Sequence, residues 1–337
     1  MDRILIVGLG LIGGAALAKS LPAEKTCALD RDERQLKAAA GYTGAVYSRL
    51  EDIKEEPDTV LICVPVSSAC SMAGALAKRF PNAVFIDCCS TKRSVQRAYE
   101  NAGVMYAGMH PMAGSEGSGF ANARAGLFHG AIMCITGSGR AREEARKLAL
   151  LLGGCPMEIS AQEHDAATAA VSHLPHIAAA ALVRAARLRS QEAPALFDLA
   201  AGGFSDLTRI ADSDPVMWGS VFADNSDEIL QSLDAFEGEI KKWRQLLLRK
   251  NEAELAQYFA DCKRDKALFR RGDRGIYPKD GVRGFFACRP QEQAEKAKTA
   301  FENGAYAVTA EENGINVVCR QRDEFERAAA ALTAEEK

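Results

Sequence analysis

The sequence predicts an α/β protein with an N-terminal doubly wound parallel sheet, an all-helical second domain and a small C-terminal α+β appendage. Three observations predict it. An apolar run breaks into closely spaced glycines over residues 4–14, strands alternate with helices through the first half, and beyond about Gly154 the pattern changes to long alanine- and leucine-rich helical periodicity.

The first strand, Ile4-Leu5-Ile6-Val7, runs into Gly8, Gly10 and Gly13 at the G-x-G-x-x-G spacing. Gly8 permits a tight turn, Gly10 lets the backbone approach a pyrophosphate, and Gly13 lets the following helix, 11–20, pack close to the sheet. Unpaired N–H groups at the start of that helix, around Leu11 and Ile12, would face the phosphates. Bare glycines also fit an ordinary turn, so context decides. A second strand, 26–30, ends in Asp30, about 20 residues beyond the first glycine, where a carboxylate accepts hydrogen bonds from ribose hydroxyls. This is the pattern of a Rossmann dinucleotide-binding domain, assigned to residues 1–154. Asp30 favours NAD, while Arg31 and Arg34 keep NADP possible. Asp30 also reads as the N-cap of a helix over 31–40.

A strand over 58–64, a helix over 67–79, a strand over 83–87 and a helix over 91–101 imply parallel strands with right-handed crossovers. Val64 and Pro65, where the first of these strands ends, are further cofactor-contact candidates. Strands over 104–107 and 131–135 flank a long glycine-rich loop, and such loops at the strand ends of an open α/β sheet tend to carry the site. The helical domain, 155–271, holds helices over 161–190, 224–250 and 251–270; Ile229, Leu233, Phe236 and Ile240 form an apolar stripe read as a dimerisation surface. A linker over 270–281 leads to the appendage, 280–337. There a strand over 284–288, a helix over 290–303, strands over 306–310 and 314–319 joined by a hairpin turn, and a helix over 321–332 suggest a regulatory or assembly role.

The chain has 337 residues and a formal net charge of −3, which provides no field for nucleic acid or an anionic membrane and points to a small-molecule partner. No apolar run approaches the ~20 residues of a membrane span, and the N-terminus enters a strand without a signal-peptide pattern, which reads as cytoplasmic. The 10 cysteines are scattered without a C-x-x-C pair, so neither a zinc knuckle nor a redox couple is indicated and no metal is expected.

Ser90 follows one strand and His110 the next, so adjacent parallel strands bring them to the same edge. A serine hydroxyl on one imidazole nitrogen fixes the tautomer and leaves the other nitrogen to act on a substrate proton. His110 reads as part of a Gly- and Pro-rich loop facing a cleft. His173 and His176, in a helix that Pro175 would bend, suit polar substrate contact or domain packing better than a metal, because no carboxylate accompanies them. Arg209 offers a planar fork for a carboxylate, although a lone arginine is more often a surface ion pair.

The blocks GLGLIGG, DCCSTK, GMHPMAGSE, SHLPH and GGFSDLTRIADSDPVMW, spanning roughly residues 4 to 220, together resemble the prephenate dehydrogenase family, including its arogenate-using and dual-specificity members. The resemblance implies an active site between a Rossmann domain and a helical dimerisation domain. In it His110 bonds the substrate's ring hydroxyl and helps remove its proton, and Ser90 orients His110 and approaches the nicotinamide. Arg209 binds a substrate carboxylate near His176 and Trp218, and Ser115 and Glu116 lie at the mouth of the cleft. The implied reaction is NAD-dependent oxidative decarboxylation of prephenate to 4-hydroxyphenylpyruvate and CO2 in tyrosine biosynthesis, by a homodimer. Arogenate is the alternative substrate, with tyrosine as product. A β-hydroxyacid dehydrogenase would use a helix lysine, and none lies between Leu148 and Lys241. A catalytically inactive nicotinamide-binding sensor is the reading from another class; Ser90, His110 and Arg209 together count against it. The segment after Ile276 departs from the resemblance.

Overall fold

The computed structural model describes residues 3–114, 117, 119–267 and 269, together with the strands 282–287, 305–311 and 314–319. The strands of the main sheet are β1 (Ile4–Val7), β2 (Thr26–Leu29), β3 (Ala45–Tyr47), β4 (Thr59–Ile62), β5 (Val84–Asp87), β6 (Met105–Pro111), β7 (Ile132–Gly137) and β8 (Cys155–Glu158). They lie side by side in the order β3-β2-β1-β4-β5-β6-β7-β8. β1, β4 and β5 are buried on both faces, which is why they read as continuous apolar runs rather than as alternating ones. One core packs Ile4, Ile6, Leu17, Ile86, Met109 and Leu148 on one face, and a second packs Leu5, Val7, Ile62, Leu76, Phe85 and Tyr99 on the other. The chain leaves β1 toward β2 on one side, while β4 lies on its other side. That reversal of strand order opens a crevice at the carboxyl edge, where the glycine turn sits.

The connecting helices are α1 (Ala18–Ser20), which continues a π-helical turn over Leu11–Leu17, then α2 (Glu33–Ala39), α3 (Val66–Arg79), α4 (Arg93–Asn101) and α5 (Gly139–Leu151). The second half is helical: α6 (Ala161–Thr168), α7 (Leu174–Arg189), α8 (Leu196–Leu199), α9 (Gly202–Thr208), α10 (Pro215–Asp224), α11 (Ser226–Arg249) and α12 (Glu252–Ala267). A π-helical turn over Ala169–His173 joins α6 to α7, and Pro175 falls in the first turn of α7, where its missing N–H costs nothing.

The structure corrects several expectations. β6 pairs antiparallel with β7, so the sheet is mostly rather than wholly parallel. That ladder carries β6 as far as Pro111, and His110 is therefore a strand residue opposite Cys134 instead of part of a loop. The sheet also passes Gly154, because β8 adds to β7 in parallel. Asp32, not Asp30, caps α2, its Oδ1 accepting from the Arg34 N–H at 2.9 Å. The continuous helical run Ala161–Arg189 is long and apolar enough to cross a membrane by length and composition, contrary to the sequence expectation, yet it carries the buried polar residues His164, Asp165 and His173. The strands β9 (Val282–Ala287), β10 (Ala305–Glu311) and β11 (Gly314–Cys319) form an antiparallel sheet in the order β10-β11-β9. The expected linker and the helices over 290–303 and 321–332 lie outside the described residues.

The glycines of the first turn differ in what they tolerate. A Cβ on Gly13 would stand 2.1 Å from the Gly8 carbonyl oxygen and 2.3 Å from Cys63 Cβ, whereas a Cβ on Gly10 meets nothing within 4 Å. Gly13→Ala is expected to lower stability by about 1–3 kcal/mol in urea unfolding, and Gly10→Ala by less than about 0.5 kcal/mol. Equal losses would contradict this packing.

Candidate active site

The nucleotide side of the crevice is built by β1, β2 and β4. Gly8 takes φ 95°, a left-handed conformation that favours glycine. A Cβ there would also strike the Cys63 carbonyl and Val64 Cγ1, both 2.7 Å away. Asp30 follows β2 with both carboxylate oxygens engaged: Oδ2 accepts from the Leu9 N–H at 2.6 Å and Oδ1 from the Asp32 N–H at 2.8 Å. The acid is thus held against the glycine turn. Leu11 and Ile12 pack partly against the core, Pro65 precedes α3 and Arg31 is exposed. Arg34 pairs with Asp32 at 2.9 Å.

On the other side of the crevice, His110 projects from β6 toward the helical half. Its Nδ1 lies 2.8 Å from Nε2 of His164 on α6, and His164 Nδ1 lies 2.8 Å from Oδ1 of the adjacent Asp165. Asp165 is almost fully buried, and its carboxylate accepts from the backbone N–H groups of Lys92 at 2.8 Å and Arg93 at 2.9 Å, where α4 begins. Burial pushes the His110 pKa well below the ordinary histidine value, and His164, Lys92 and His173 push it the same way. Burial also lowers His164, against the opposing pull of Asp165. Both rings are therefore neutral near pH 7.

Beneath His110 lies a buried charge cluster. Asp87 at the end of β5 pairs with Lys92, accepts from the Tyr106 hydroxyl and receives the Cys89 N–H at 2.8 Å. Burial opposes the Lys92 charge, but its neighbours, the Asp87 carboxylate foremost, together outweigh burial and raise the lysine pKa. Gly108 makes room for this cluster, because a Cβ there would come within 2.6 Å of Lys92 Cδ.

Helices α7 and α10 supply the third wall. The His176 ring stacks on Trp218 with centroids 3.6 Å apart, and its Nδ1 donates to the Ser172 carbonyl at 2.8 Å, which leaves Nε2 as an acceptor. His173 is buried with its edge to Trp218 and its Nδ1 3.2 Å from the Asn225 amide nitrogen. Arg209 is exposed and opens a short 3-10 turn, Arg209–Asp212, that packs on α7.

The structure thus joins His176 to Trp218 and places Ser90 and His110 at one sheet edge, since Asp87 and Gly108 are register partners. It does not give Ser90 the expected orienting bond: among the described residues Ser90 makes no hydrogen bond to His110, and the imidazole Nδ1 is taken by His164. Ser115 and Glu116 lie outside the described residues. Sequence reasoning missed His164 and Asp165. The available signal was a histidine next to an acid in the first helical turns after β8, capped by Ser160, whose Oγ accepts from the Glu163 N–H at 3.1 Å.

Comparison with known proteins gives a consistent result. The family model for the prephenate dehydrogenase nucleotide-binding domain matches residues 14–154, and that for the prephenate dehydrogenase dimerization domain matches residues 160–261. Prephenate dehydrogenase of Bacillus subtilis is 35% identical over 277 residues, covering 78% of this chain and 74% of its own. The Lactococcus lactis prephenate dehydrogenase is 32% identical over 278 residues, covering 78% and 76%. The crystal structure of prephenate dehydrogenase from A. aeolicus in complex with hydroxyphenyl propionate and NAD+ superposes with a TM-score of 0.73 at 30% identity, over 80% of this chain and 99% of that one.

Burying neutral imidazoles has a cost in acid. The His173 pKa falls from 6.5 to about 4 in the folded protein, chiefly through burial. Between those values the unfolded chain binds a proton that the folded chain does not, so stability is lost as pH drops through that window. Urea unfolding from pH 7 to pH 4 is expected to show a falling midpoint, with a shallower slope for His173→Gln. A slope unchanged by that substitution would remove His173 as a source.

Proposed function

The chain belongs to the prephenate dehydrogenase family, and from that premise we propose that it converts prephenate to 4-hydroxyphenylpyruvate and CO2 with NAD as oxidant. The observation that carries this reading is His110, a neutral imidazole at the carboxyl edge of the same sheet that carries the glycine turn.

The residues of the turn fit the cofactor. Gly10 leaves open space where a pyrophosphate would approach, Gly8 and Gly13 permit the turn and the close helix, and Asp30 stands at the strand end that meets an adenosine ribose. Bound there, NAD supplies a hydride acceptor for the ring carbinol carbon of the substrate. The protein's own part is proton removal and orientation. His110 takes the ring hydroxyl proton on Nε2, loss of the ring carboxylate as CO2 leaves an aromatic phenolate that recovers that proton from His110, and aromatisation drives the reaction. Arg209 offers its guanidinium fork to a substrate carboxylate, His176 presents Nε2 beside it, and Trp218 holds the His176 ring in place. Ser90 shares the edge with His110. No covalent nucleophile is required, because positioning and a base suffice.

We also assign the helical half to a homodimer contact. Ile229 of the apolar stripe is buried within the protomer, while Phe236 and Ile240 remain 38% and 51% exposed on α11. A cluster of that kind on a helix face is the usual material of a subunit interface.

Assays of prephenate and arogenate, each with NAD and NADP, are expected to give the highest kcat/KM for prephenate with NAD. Reduced cofactor in none of the combinations would overturn the reading, and a preference for arogenate would overturn the choice of substrate. His110→Asn is expected to lower kcat by roughly 10²-fold or more while NAD still binds. Near-normal turnover would take His110 out of the mechanism.

A further inference from the structure

Resting on His110 as the proton acceptor, we propose that His164 and Asp165 are positioning residues that set its tautomer and take over its charge during turnover. The hydrogen-bond chain permits little else. The Asp165 carboxylate can only accept, so the 2.8 Å contact requires a proton on His164 Nδ1. A neutral His164 then has a bare Nε2, and the 2.8 Å contact beyond it requires His110 to donate from Nδ1. The nitrogen left to His110 for the substrate is Nε2, with its lone pair available.

The same chain resolves a conflict in the site. A base must accept a proton, yet burial, His164, Lys92 and His173 all disfavour a charged His110. When the substrate hydroxyl proton arrives on His110 Nε2, the Nδ1 proton can pass along the existing hydrogen bond to His164 Nε2. His110 is neutral again, with its proton now on Nε2, and His164 carries the charge as an imidazolium whose Nδ1–H faces the Asp165 carboxylate. When decarboxylation leaves a phenolate, the proton returns: His164 Nε2 gives it back to His110 Nδ1 as His110 Nε2 protonates the phenolate oxygen, and the original tautomers return.

The charged and titratable groups around this path are Asp87 and Lys92 from β5 and the turn before α4, Arg93 from α4, His164 and Asp165 from α6, and His173 before α7. Asp165 cannot swing away to leave His164 alone. The N–H groups of Lys92 and Arg93 hold it at the start of α4, Arg93 Nε approaches at 3.3 Å, and the Asn225 amide donates to its carbonyl at 2.8 Å. Asp165 and His164 come from the helical half, whereas His110 and α4 come from the sheet half. The base therefore acquires its working tautomer only where the two halves meet.

The test combines ring nitrogen NMR with kinetics. In wild-type protein carrying 15N-labelled histidine, His110 is expected to show a protonated Nδ1 and a bare Nε2; the opposite tautomer overturns the proposal whatever the protein turns over. His164→Leu is expected to lower kcat on the order of 10²-fold, with the KM values for prephenate and NAD changing far less. The acid limb of kcat/KM should shift from its wild-type position, because the proton taken up by His110 no longer has His164 to pass to. His164→Gln, whose amide oxygen can still accept from His110 Nδ1, should recover part of the loss. A kcat within about threefold of wild type for His164→Leu, with the acid limb unmoved, overturns the proposal. A His164→Leu protein that fails to bind NAD is set aside for loss of fold, and the decision then rests on His164→Gln and the wild-type tautomer. A wild-type protein inactive on prephenate would overturn the function proposed above while leaving the tautomer measurement decisive here.

Discussion

Asp165 sits with its carboxylate against the first N–H groups of α4, and much of the site depends on that seat. A helix start presents unpaired donors and the positive end of the helix dipole, both of which favour a buried carboxylate. Here the acid comes from another part of the fold, so one contact satisfies the start of α4, compensates a buried charge and ties α6 to the sheet half. The neighbouring bonds reinforce the seam. Thr91 and Ser94 hydroxyls donate to Asp224 at 2.6 and 2.8 Å, and Arg93 reaches Asn225 at 3.2 Å and Glu228 at 3.3 Å. These contacts place His164 against His110.

The buried Asp87–Lys92 pair works by a related constraint. Removing two charges from water is costly unless their remaining hydrogen-bonding capacity is met. Asp87 meets that condition with Lys92, the Tyr106 hydroxyl and the Cys89 N–H, in a space that exists only because position 108 lacks a side chain. The cluster also acts at a distance. Its lysine adds positive potential beneath both His110 and His164 and so helps keep them uncharged until a substrate proton arrives.

The sheet was legible in the sequence because its cause is local. Buried parallel strands need unbroken apolar runs such as Ile4 to Val7 and Thr59 to Ile62, and a nucleotide turn needs glycines where Gly8 and Gly13 have no room for a Cβ. His110 could be singled out for the same reason, from its place just beyond a strand core. Its setting could not. The extension of β6 through Pro111 depends on β7, a partner more than a loop away, and the antiparallel sense of that pair leaves no mark in the residues themselves. His164 and Asp165 were invisible for a stronger reason. Within one helix they read as an ordinary capped first turn, and their role arises only when α6 docks on α4 and β6. Asp30 shows the intermediate case: its position at the strand end was readable, but the N-cap belongs to Asp32, a difference of two residues that backbone geometry decides.

The central claim is that the proton acceptor faces the substrate with Nε2 because its other nitrogen is committed to the helical half. A high-resolution crystal structure of the ternary complex with NAD+ and 4-hydroxyphenylpyruvate tests it most directly. The account predicts His110 Nε2 within about 2.6–3.2 Å of the phenolic oxygen, with Nδ1 still on His164 and Asp165 still on α4. A phenolic oxygen held by other groups, with His110 parted from His164 or turned from the ligand, would contradict it.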